Sequence, residues 1–329
     1  MLKMLVPLDG SGLAMQAVPH AVLLARSFES EVHLLQVLEK KAYDLDPSLD
    51  DLDWELRRME CQHYLGDLQH TLDLDGVNIR LHVREGDPAS EIIELCRQED
   101  IDLVVVTAYG VGGITRFPQG STVQKIISRA EQSLLIVPPE PPERATSRRQ
   151  PLSYDRILVA LDGSKRADWA LYLASGIARM TDATLSLLQV VQEPKVTPGV
   201  RTSAEGRELV DRLMELTRRD SLDHLRDITS QLPAGLEVET RLLVAAEVAP
   251  VVVAVAREEA VDLLVLSAHG IADGDRAFTA VTEQIIGEAA CPVLVFQDAR
   301  NKRLILQPRS GEPVRSSKVQ ADPDRAHAS

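Results

Sequence analysis

The amino-acid sequence predicts an α/β protein made of two tandem doubly wound α/β sandwiches, each Rossmann-like with a five-stranded parallel sheet. The first observation is an internal duplication: MLVPLDGSGLAMQAV (4–18) returns as ILVALDGSKRADWAL (157–171), and EDIDLVVVTAYG (99–110) returns as EAVDLLVLSAHG (259–270). The second is a series of short, unalternating aliphatic runs between amphipathic segments, which is typical of parallel strands buried on both faces. Each copy carries enough of these runs for one complete α/β domain.

The first copy opens with a strand over residues 4–8 that ends at an Asp-Gly-Ser sequence. Asp9 or Ser11 can cap the helix that follows over residues 14–28, because short polar side chains accept hydrogen bonds from the first free N–H groups. A second aliphatic strand is predicted over residues 31–38.

An acidic insertion separates this strand from the next helix. The run DLDPSLDDLDWE (44–55) lacks the glycine of a calcium loop, so we interpret it as a solvated segment before a helix near residues 52–72. A third strand is predicted over residues 77–83. The Gly-Asp-Pro sequence at its end opens another helix, over residues 86–98.

The last part of the copy contains its most unusual segment. A strand over residues 101–106 runs into TAYGVGGITRFPQGST (107–122), and a helix over residues 121–130 and a strand over residues 133–137 follow. In the second copy the middle segment is longer, because the offset between the copies rises from 153 (Asp9 to Asp162) to 160 (Asp102 to Asp262).

The repeat also sets the predicted domain boundaries. The proline-rich segment between the copies cannot form a continuous helix or a central strand, so we interpret it as a linker. The C-terminal segment is polar and weakly basic, and we expect it to be largely disordered. The predicted parts are residues 1–138 (first domain), 139–153 (linker), 154–297 (second domain) and 298–329 (tail).

Composition and charge exclude several classes of partner. Hydrophobic residues make up 44% of the chain and aromatic residues only 3%, which predicts an aliphatic core. The net charge of −14 argues against general binding to nucleic acid or to an anionic membrane, since no basic surplus exists to neutralise phosphates.

The sequence predicts a cytoplasmic protein. Its three cysteines (Cys61, Cys96 and Cys291) are odd in number and show no CxxC spacing, which fits a reducing compartment. The N-terminal residues begin directly in a strand pattern, so we expect no signal peptide. The apolar run over residues 248–256 is too short to span a membrane.

The glycine-rich loop at 107–122 is a candidate anion site. In open α/β sheets, ligands bind at the carboxyl ends of the strands, where helix N-termini present free N–H groups. Gly110, Gly112 and Gly113 would allow close backbone approach, and Gly120-Ser121 would present N–H groups and a hydroxyl to a phosphate. A glycine-rich turn that holds no ligand is the alternative, and the spacing alone leaves both open.

The motifs around this loop resemble those of the universal stress protein family. Gly110, followed after nine residues by Gly120-Ser121, is similar to the family's G-x-x-G-x9-G-[S/T] signature, and VPLDGS, HLLQV, REGDPASEI and DLVVV occur in the expected order. The resemblance covers both copies, as in tandem-type members. It implies an adenine nucleotide alpha hydrolase-like fold that binds ATP, with or without Mg²⁺, across the carboxyl edge of the sheet.

The resemblance also implies roles for individual residues of the first copy. Pro7 and Asp9 would contact adenine or ribose, and Val37 would offer its backbone to the base. Thr107 and Gly110 would line the ribose and phosphate path, although Thr107 replaces the first glycine of the family signature. The phosphates would be held by Gly120, Ser121 and Thr122.

The second copy departs further from the signature. Ser267 stands at the first glycine position, and Ala280-Val281 replaces Gly120-Ser121. Asp273 and Asp275 add negative charge that would repel a triphosphate. We therefore expect ATP binding in the first domain only.

Three functions remain open from the sequence. The preferred hypothesis is a non-enzymatic, ATP-binding stress-response or signalling protein, because no obvious general base stands in the glycine loop. A slow ATPase switch and a nucleotide-free regulatory scaffold are the alternatives. Lys125 could reach a phosphate or face solvent. Asp9 and Asp162 are more typical of caps or ligand anchors than of catalytic carboxylates.

No metal site is predicted, and the expected protein contact is internal. Cys61, His63 and His70 share a helix, but their spacing matches no zinc pattern, so we interpret them as solvated. The fifth strands, SLLIV (133–137) and PVLVF (292–296), are apolar. By the resemblance they would bring the two copies together as an intramolecular pseudo-dimer. A homodimer is a further possibility.

Overall fold

The computed structural model describes residues 2–39, 47–71, 77–108, 121–140, 152–199, 203–268, 278–297 and 316–320. The chain divides into two compact units, one built on Met1–Ser153 and the other on Tyr154–Phe296. Each is an α/β unit with a parallel sheet, which confirms the predicted fold class.

The first unit contains five parallel strands in the order β5-β4-β1-β2-β3. The strand order reverses between β1 and β4, and crevices at such reversals are where doubly wound folds bind their ligands. The strands are β1 (Lys3–Leu8), β2 (Glu31–Leu38), β3 (Asn78–Glu85), β4 (Leu103–Thr107) and β5 (Ser133–Val137).

The helices of the first unit follow the predicted order with two differences. A 3-10 turn (Ala14–Gln16) precedes the first helix, and the second helix begins five residues before the predicted start at 52. This helix begins at Pro47, because proline is well suited to the first helical position. Much of the acidic run over residues 44–55, which we interpret from the sequence as an insertion before the helix, is therefore helical. The helices are α1 (Ala17–Phe28), α2 (Pro47–Thr71), α3 (Pro88–Gln98) and α4 (Ser121–Arg129).

The core of the first unit is aliphatic, as the composition predicted. Leu5 and Val6 on β1 and Val104 and Val105 on β4 are fully buried. Successive residues of a strand point to opposite faces, so burial of neighbouring positions means that both faces of the sheet are covered.

The second unit repeats this architecture, with strands in the order β8-β7-β6-β9-β10. None of the helices in the described part of the chain is long and apolar enough to cross a bilayer. Its strands are β6 (Arg156–Leu161), β7 (Thr184–Gln192), β8 (Val238–Ala245), β9 (Leu263–Ser267) and β10 (Val293–Phe296). Its helices are α5 (Lys165–Thr181), α6 (Ala204–Ser230), α7 (Val248–Glu258) and α8 (Ala280–Glu288).

A short strand lies within the C-terminal tail, which the sequence predicts to be largely disordered. β11 (Ser316–Gln320) pairs in parallel with β8, with Ser316 beside Val238 and Gln320 beside Arg241. The outer edge of β8 offers backbone N–H and C=O groups, and these can pair with a polar segment whose composition alone does not indicate a strand. The other residues of the tail lie outside the described residues.

Candidate functional site

The described candidate residues lie at the carboxyl edge of the first unit's sheet. Pro7 stands near the end of β1, Asp9 follows that strand, Val37 stands near the end of β2 and Thr107 ends β4. Because parallel strands end at a common edge, the structure brings these four positions together.

The loop that should hold phosphate is described only in part. Ser121 is the first residue of α4, and Thr122 in the first helical turn is half-buried. Gly110 and Gly120 lie outside the described residues, so their predicted roles stay predictions.

Asp9 is held in place by its own turn. One of its carboxylate oxygens (Oδ1) accepts hydrogen bonds from the backbone N (2.9 Å) and the Oγ (2.6 Å) of Ser11. Ser11 Oγ accepts in turn from the backbone N of Ala14 at 3.1 Å. The predicted cap therefore supports the 3-10 turn rather than α1, whose own first residues receive no side-chain hydrogen bond.

The turn after β1 requires glycine. Gly10 has a φ of +79°, in the left-handed region that a residue with a side chain rarely adopts. A Cβ atom there would stand 3.7 Å from Nε2 of Gln36, which pairs with Leu8 across β1 and β2. The other amide atom of Gln36, Oε1, is buried and has no hydrogen-bond partner among the described residues.

Helix α2 brings a tyrosine to this edge. α2 packs against β2 and β3, and the hydroxyl of Tyr64 is buried without a hydrogen-bond partner in the described part of the chain. Burial raises the pKa of this phenol, and the negative charge of Asp9 raises it further. Because a buried polar atom without a partner is costly, these atoms fit a ligand that carries hydroxyl groups. The sequence alone does not indicate a site role for Gln36 or Tyr64.

Thr107 ends β4 as a buried residue. It is 6% exposed and pairs with Val137, and the backbone N of Ala108 donates to Val137 O at 2.8 Å. The side chain that replaces a family glycine therefore presents little surface to a ligand at this edge.

Lys125 contacts a carboxylate, whereas the sequence suggested that it would either reach a phosphate or face solvent. Its Nζ lies 2.9 Å from Oδ1 of Asp87, and the two side chains are 47% and 44% exposed. Asp87 caps α3 by accepting hydrogen bonds from the backbone N and the Oγ of Ser90. The hydrogen bond from Lys125 and those from Ser90 lower the pKa of Asp87 to about 2. Such an exposed pair is weak enough for Lys125 to exchange partners.

The second unit has a different set of side chains at the equivalent edge. Asp162 accepts a hydrogen bond from the backbone N of Ser164 at 2.9 Å, as Asp9 does from Ser11. Close by, Nε2 of His224 on α6 lies 3.1 Å from Oδ1 of Asp168 on α5. Burial raises the pKa of Asp168, the charge of Asp162 raises it further, and the contact with His224 opposes this shift.

The long helices α2 and α6 are equivalent by position and by burial. His224 follows Tyr64 by 160 positions, the offset that also separates Asp102 and Asp262. The buried residues of the two helices match at this offset: Cys61, Leu65 and Leu68 in α2, and Ser221, Leu225 and Ile228 in α6.

The two units also differ in the surroundings of an equivalent pair of glutamines. Gln189, the counterpart of Gln36, donates from Nε2 to Oγ of Ser221 at 3.1 Å. The counterpart of Ser221 is Cys61, which is 6% exposed and thus buried rather than solvated, contrary to our interpretation. It lies on the face of α2 that packs on the sheet, and the spacing of possible zinc ligands along a helix does not indicate which of them are buried. Within the described ranges, no three histidine, cysteine or acidic residues form a metal-binding group.

The N-terminus of α8 is capped from within the second unit. Thr279 accepts a hydrogen bond from the backbone N of Thr282 at 3.2 Å, and the hydroxyls of these two residues lie 2.9 Å apart. The position equivalent to Thr279 in the first copy is Gln119, which is not a favoured cap. One of the N–H groups that an anion would use is therefore already bound in the second unit.

Sequence comparison places both units in one family. The family model described as "Universal stress protein family" matches residues 1–138 and 153–297. The chain belongs to the universal stress protein family. A universal stress protein of Methanocaldococcus jannaschii is 31% identical over 137 residues, which cover 41% of this chain and 81% of that protein. A universal stress protein of Bacillus subtilis is 25% identical over 150 residues, covering 41% and 97%.

Solved structures of universal stress proteins have the same fold over both units. One from Archaeoglobus fulgidus matches with a TM-score of 0.60 at 18% identity, covering 90% of this chain and 98% of its own. A putative one from Pseudomonas aeruginosa matches with a TM-score of 0.54 at 17% identity, covering 92% and 94%. At these identities the likeness concerns the fold alone.

Proposed function

We propose that this universal stress protein binds ATP at the carboxyl edge of its first unit and acts in stress response or signalling without catalysing a reaction. The observation that carries the proposal is the arrangement around Asp9. A carboxylate fixed by its own turn follows β1 at the reversal of strand order, and its charge acts on the phenol of Tyr64. The Tyr64 hydroxyl and Gln36 Oε1 are buried and have no hydrogen-bond partner among the described residues.

The phosphate end of the proposed site rests on the sequence of the glycine loop. Ser121 is the first residue of α4 and Gly120 precedes it in the sequence. Helix N-termini favour anions through their free N–H groups and the helix dipole. Lys125, one turn further along α4, would add a positive charge if it exchanged Asp87 for a phosphate. A magnesium ion bound with the nucleotide would neutralise further charge.

The proposal is non-enzymatic because the sequence of the glycine loop contains no obvious general base. Asp9 accepts both hydrogen bonds from Ser11 on one oxygen and so forms part of the turn after β1. The slow ATPase is therefore the second candidate. Phosphate release measured over hours with bound ATP separates the two.

The second unit is proposed to bind no ATP. The Asp168–His224 pair stands beside Asp162, and Thr279 caps α8. The carboxylate of Asp168, whose counterpart in the first copy is Met15, would also repel a triphosphate.

The proposed location is the cytoplasm. The three cysteines are free thiols, and Cys61 and Cys96 are buried in the first unit. Burial raises the pKa of Cys96 to about 12, which disfavours the reactive thiolate.

Calorimetric titration of the full chain with Mg-ATP tests the proposal. We expect one binding site per chain. Ser121→Ala should weaken binding about ten- to a hundredfold, because a hydrogen bond to a charged group contributes about 1.5–3 kcal/mol. Gly120→Ala should weaken it further by narrowing the backbone's approach.

Val281→Ala, at the position equivalent to Ser121, is the matched control and should leave the affinity unchanged. Absence of binding at millimolar ATP would favour the scaffold function. Two sites of equal affinity would contradict the assignment to the first unit.

A further inference from the structure

Two half-buried side chains in the first unit, Gln36 and Tyr64, have no assigned role in the family signature. The Tyr64 hydroxyl and the Gln36 Oε1 atom are both buried and lack hydrogen-bond partners within the described ranges. Each such group carries a desolvation penalty unless a partner satisfies it. Both side chains lie near the turn that holds Asp9: Nε2 of Gln36 would stand 3.7 Å from a Cβ placed at Gly10, and the charge of Asp9 acts on the phenol of Tyr64.

The second unit shows where a side chain at the Tyr64 position points. His224 occupies that position, and its Nε2 reaches Asp168, close enough to Asp162 for the two carboxylates to interact. The residue equivalent to Asp168 in the first copy is Met15, which cannot form this pair. The side chain at this position of α2 therefore points towards the strand end, and among the described residues Tyr64 has no partner equivalent to the one that His224 has.

The chemistry of the three groups limits the ligand atoms that they suit. Asp9 offers carboxylate oxygens, Gln36 offers an amide oxygen, and the Tyr64 hydroxyl both donates and accepts. Two neighbouring hydroxyls on a ligand could donate to the acceptors and accept from the phenol. Ribose carries such a pair, whereas a base or a triphosphate does not.

We propose that Tyr64 and Gln36 recognise the ribose diol of the bound nucleotide and make the first unit selective for ribonucleotides over deoxyribonucleotides. The inference rests on the proposed function, since it specifies the sugar-recognising part of that same site. A site built to bond a ligand hydroxyl rejects the analogue that lacks it, because its own buried polar groups are then left unpaired.

The test measures the affinity of the full chain for ATP, 2′-deoxyATP and 3′-deoxyATP. The wild-type protein is expected to bind ATP more tightly than at least one deoxy analogue. Tyr64→Phe should weaken ATP binding about three- to tenfold, the range of one net hydrogen bond. The same substitution should cost little or nothing with the analogue that lacks the hydroxyl bound by Tyr64.

Tyr172→Phe is the matched control. It removes a phenolic hydroxyl from the second unit, where that group donates to Gln231 Oε1 at 2.9 Å, and it should leave all three affinities unchanged. Gln36→Met keeps the length of the side chain while removing the amide, and should reduce the preference for ATP in the same way. Gln189→Met is its control in the second unit.

The outcomes separate the inference from the proposed function. If wild-type protein binds none of the nucleotides, the proposed function fails and this inference fails with it. If wild-type protein binds ATP, three results would overturn only the sugar recognition. The first is an equal wild-type affinity for ATP and both deoxy analogues. The second is an unchanged ATP affinity in both Tyr64→Phe and Gln36→Met. The third is an equal loss with ATP and both analogues in the variants, which indicates altered packing.

Discussion

At the scale of single residues, Asp87 joins the ends of two helices. One oxygen accepts from the backbone of Ser90 at the start of α3, and the other lies 2.9 Å from Nζ of Lys125 on α4. These bonds lower the pKa of Asp87 from its ordinary value of 3.8 to about 2. The charged form is therefore favoured by folding. Its contribution to stability is present above pH 3.8 and is lost as the pH falls from 3.8 towards 2.

Substitution of Asp87 should separate its two roles. Asp87→Ala removes the cap and should lower the free energy of unfolding by about 1 kcal/mol, whereas Asp87→Asn keeps a good capping residue and should cost less. Glu247→Ala is the control, because Glu247 precedes α7 at the equivalent position without a side-chain cap. Urea denaturation at pH 7 measures all three. Equal losses in Asp87→Ala and Glu247→Ala would contradict the capping role.

At the scale of helices and strands, the sequence predicted most elements because their signals are local. Aliphatic runs and turn residues depend only on neighbouring positions, so the ten strands of the two sheets could be predicted from them. β11 could not, because its pairing depends on the free edge of β8 rather than on its own polar residues. The role of Tyr64 also depends on tertiary packing, since it follows from the placement of α2 over β2.

A histidine pair between β2 and β3, in which His33 is fully buried and His82 half-buried, is another such tertiary feature. His33 Nδ1 lies 3.0 Å from His82 Nε2, with the two rings nearly parallel and their centroids 5.0 Å apart. Burial lowers the pKa of both residues. For His33, Glu31 and Glu99 oppose this shift and Arg80 adds to it. For His82, the neighbouring His33 adds to the shift, as do Arg84 and Arg80, whereas Glu99 opposes it. Folding therefore favours the neutral pair.

The pair predicts acid sensitivity of the first unit. Because the folded pKa values lie below the ordinary value of 6.5, the contribution to stability is complete above pH 6.5 and is lost as the pH falls below it. The urea midpoint should therefore be lower at pH 5.5 than at pH 7.5. His82→Gln keeps a hydrogen-bonding group without the titration and should reduce this difference. An equal difference in the variant would show that other groups cause it.

At the scale of the whole molecule, the two copies have kept one fold while their binding edges have diverged. The residues that keep the sheet apolar are retained, whereas Tyr64, Cys61 and Gly120-Ser121 have His224, Ser221 and Ala280-Val281 as counterparts. Packing limits which residue types can occupy the core positions of both units. At the carboxyl edge of each sheet, only a bound ligand would impose such a limit.

The chain offers a separate optical probe of each copy, since its two tryptophans are Trp54 on α2 and Trp169 on α5. In Trp169→Phe, the remaining Trp54 reports unfolding of the first unit; in Trp54→Phe, Trp169 reports on the second. Mg-ATP at a hundred times its dissociation constant should stabilise the unit that binds it by about 2.7 kcal/mol. We expect this shift at Trp54 in urea unfolding followed by fluorescence, and its loss on adding Ser121→Ala. An ATP-dependent shift at Trp169 that survives Ser121→Ala would place a second nucleotide in the second unit and contradict the proposed asymmetry.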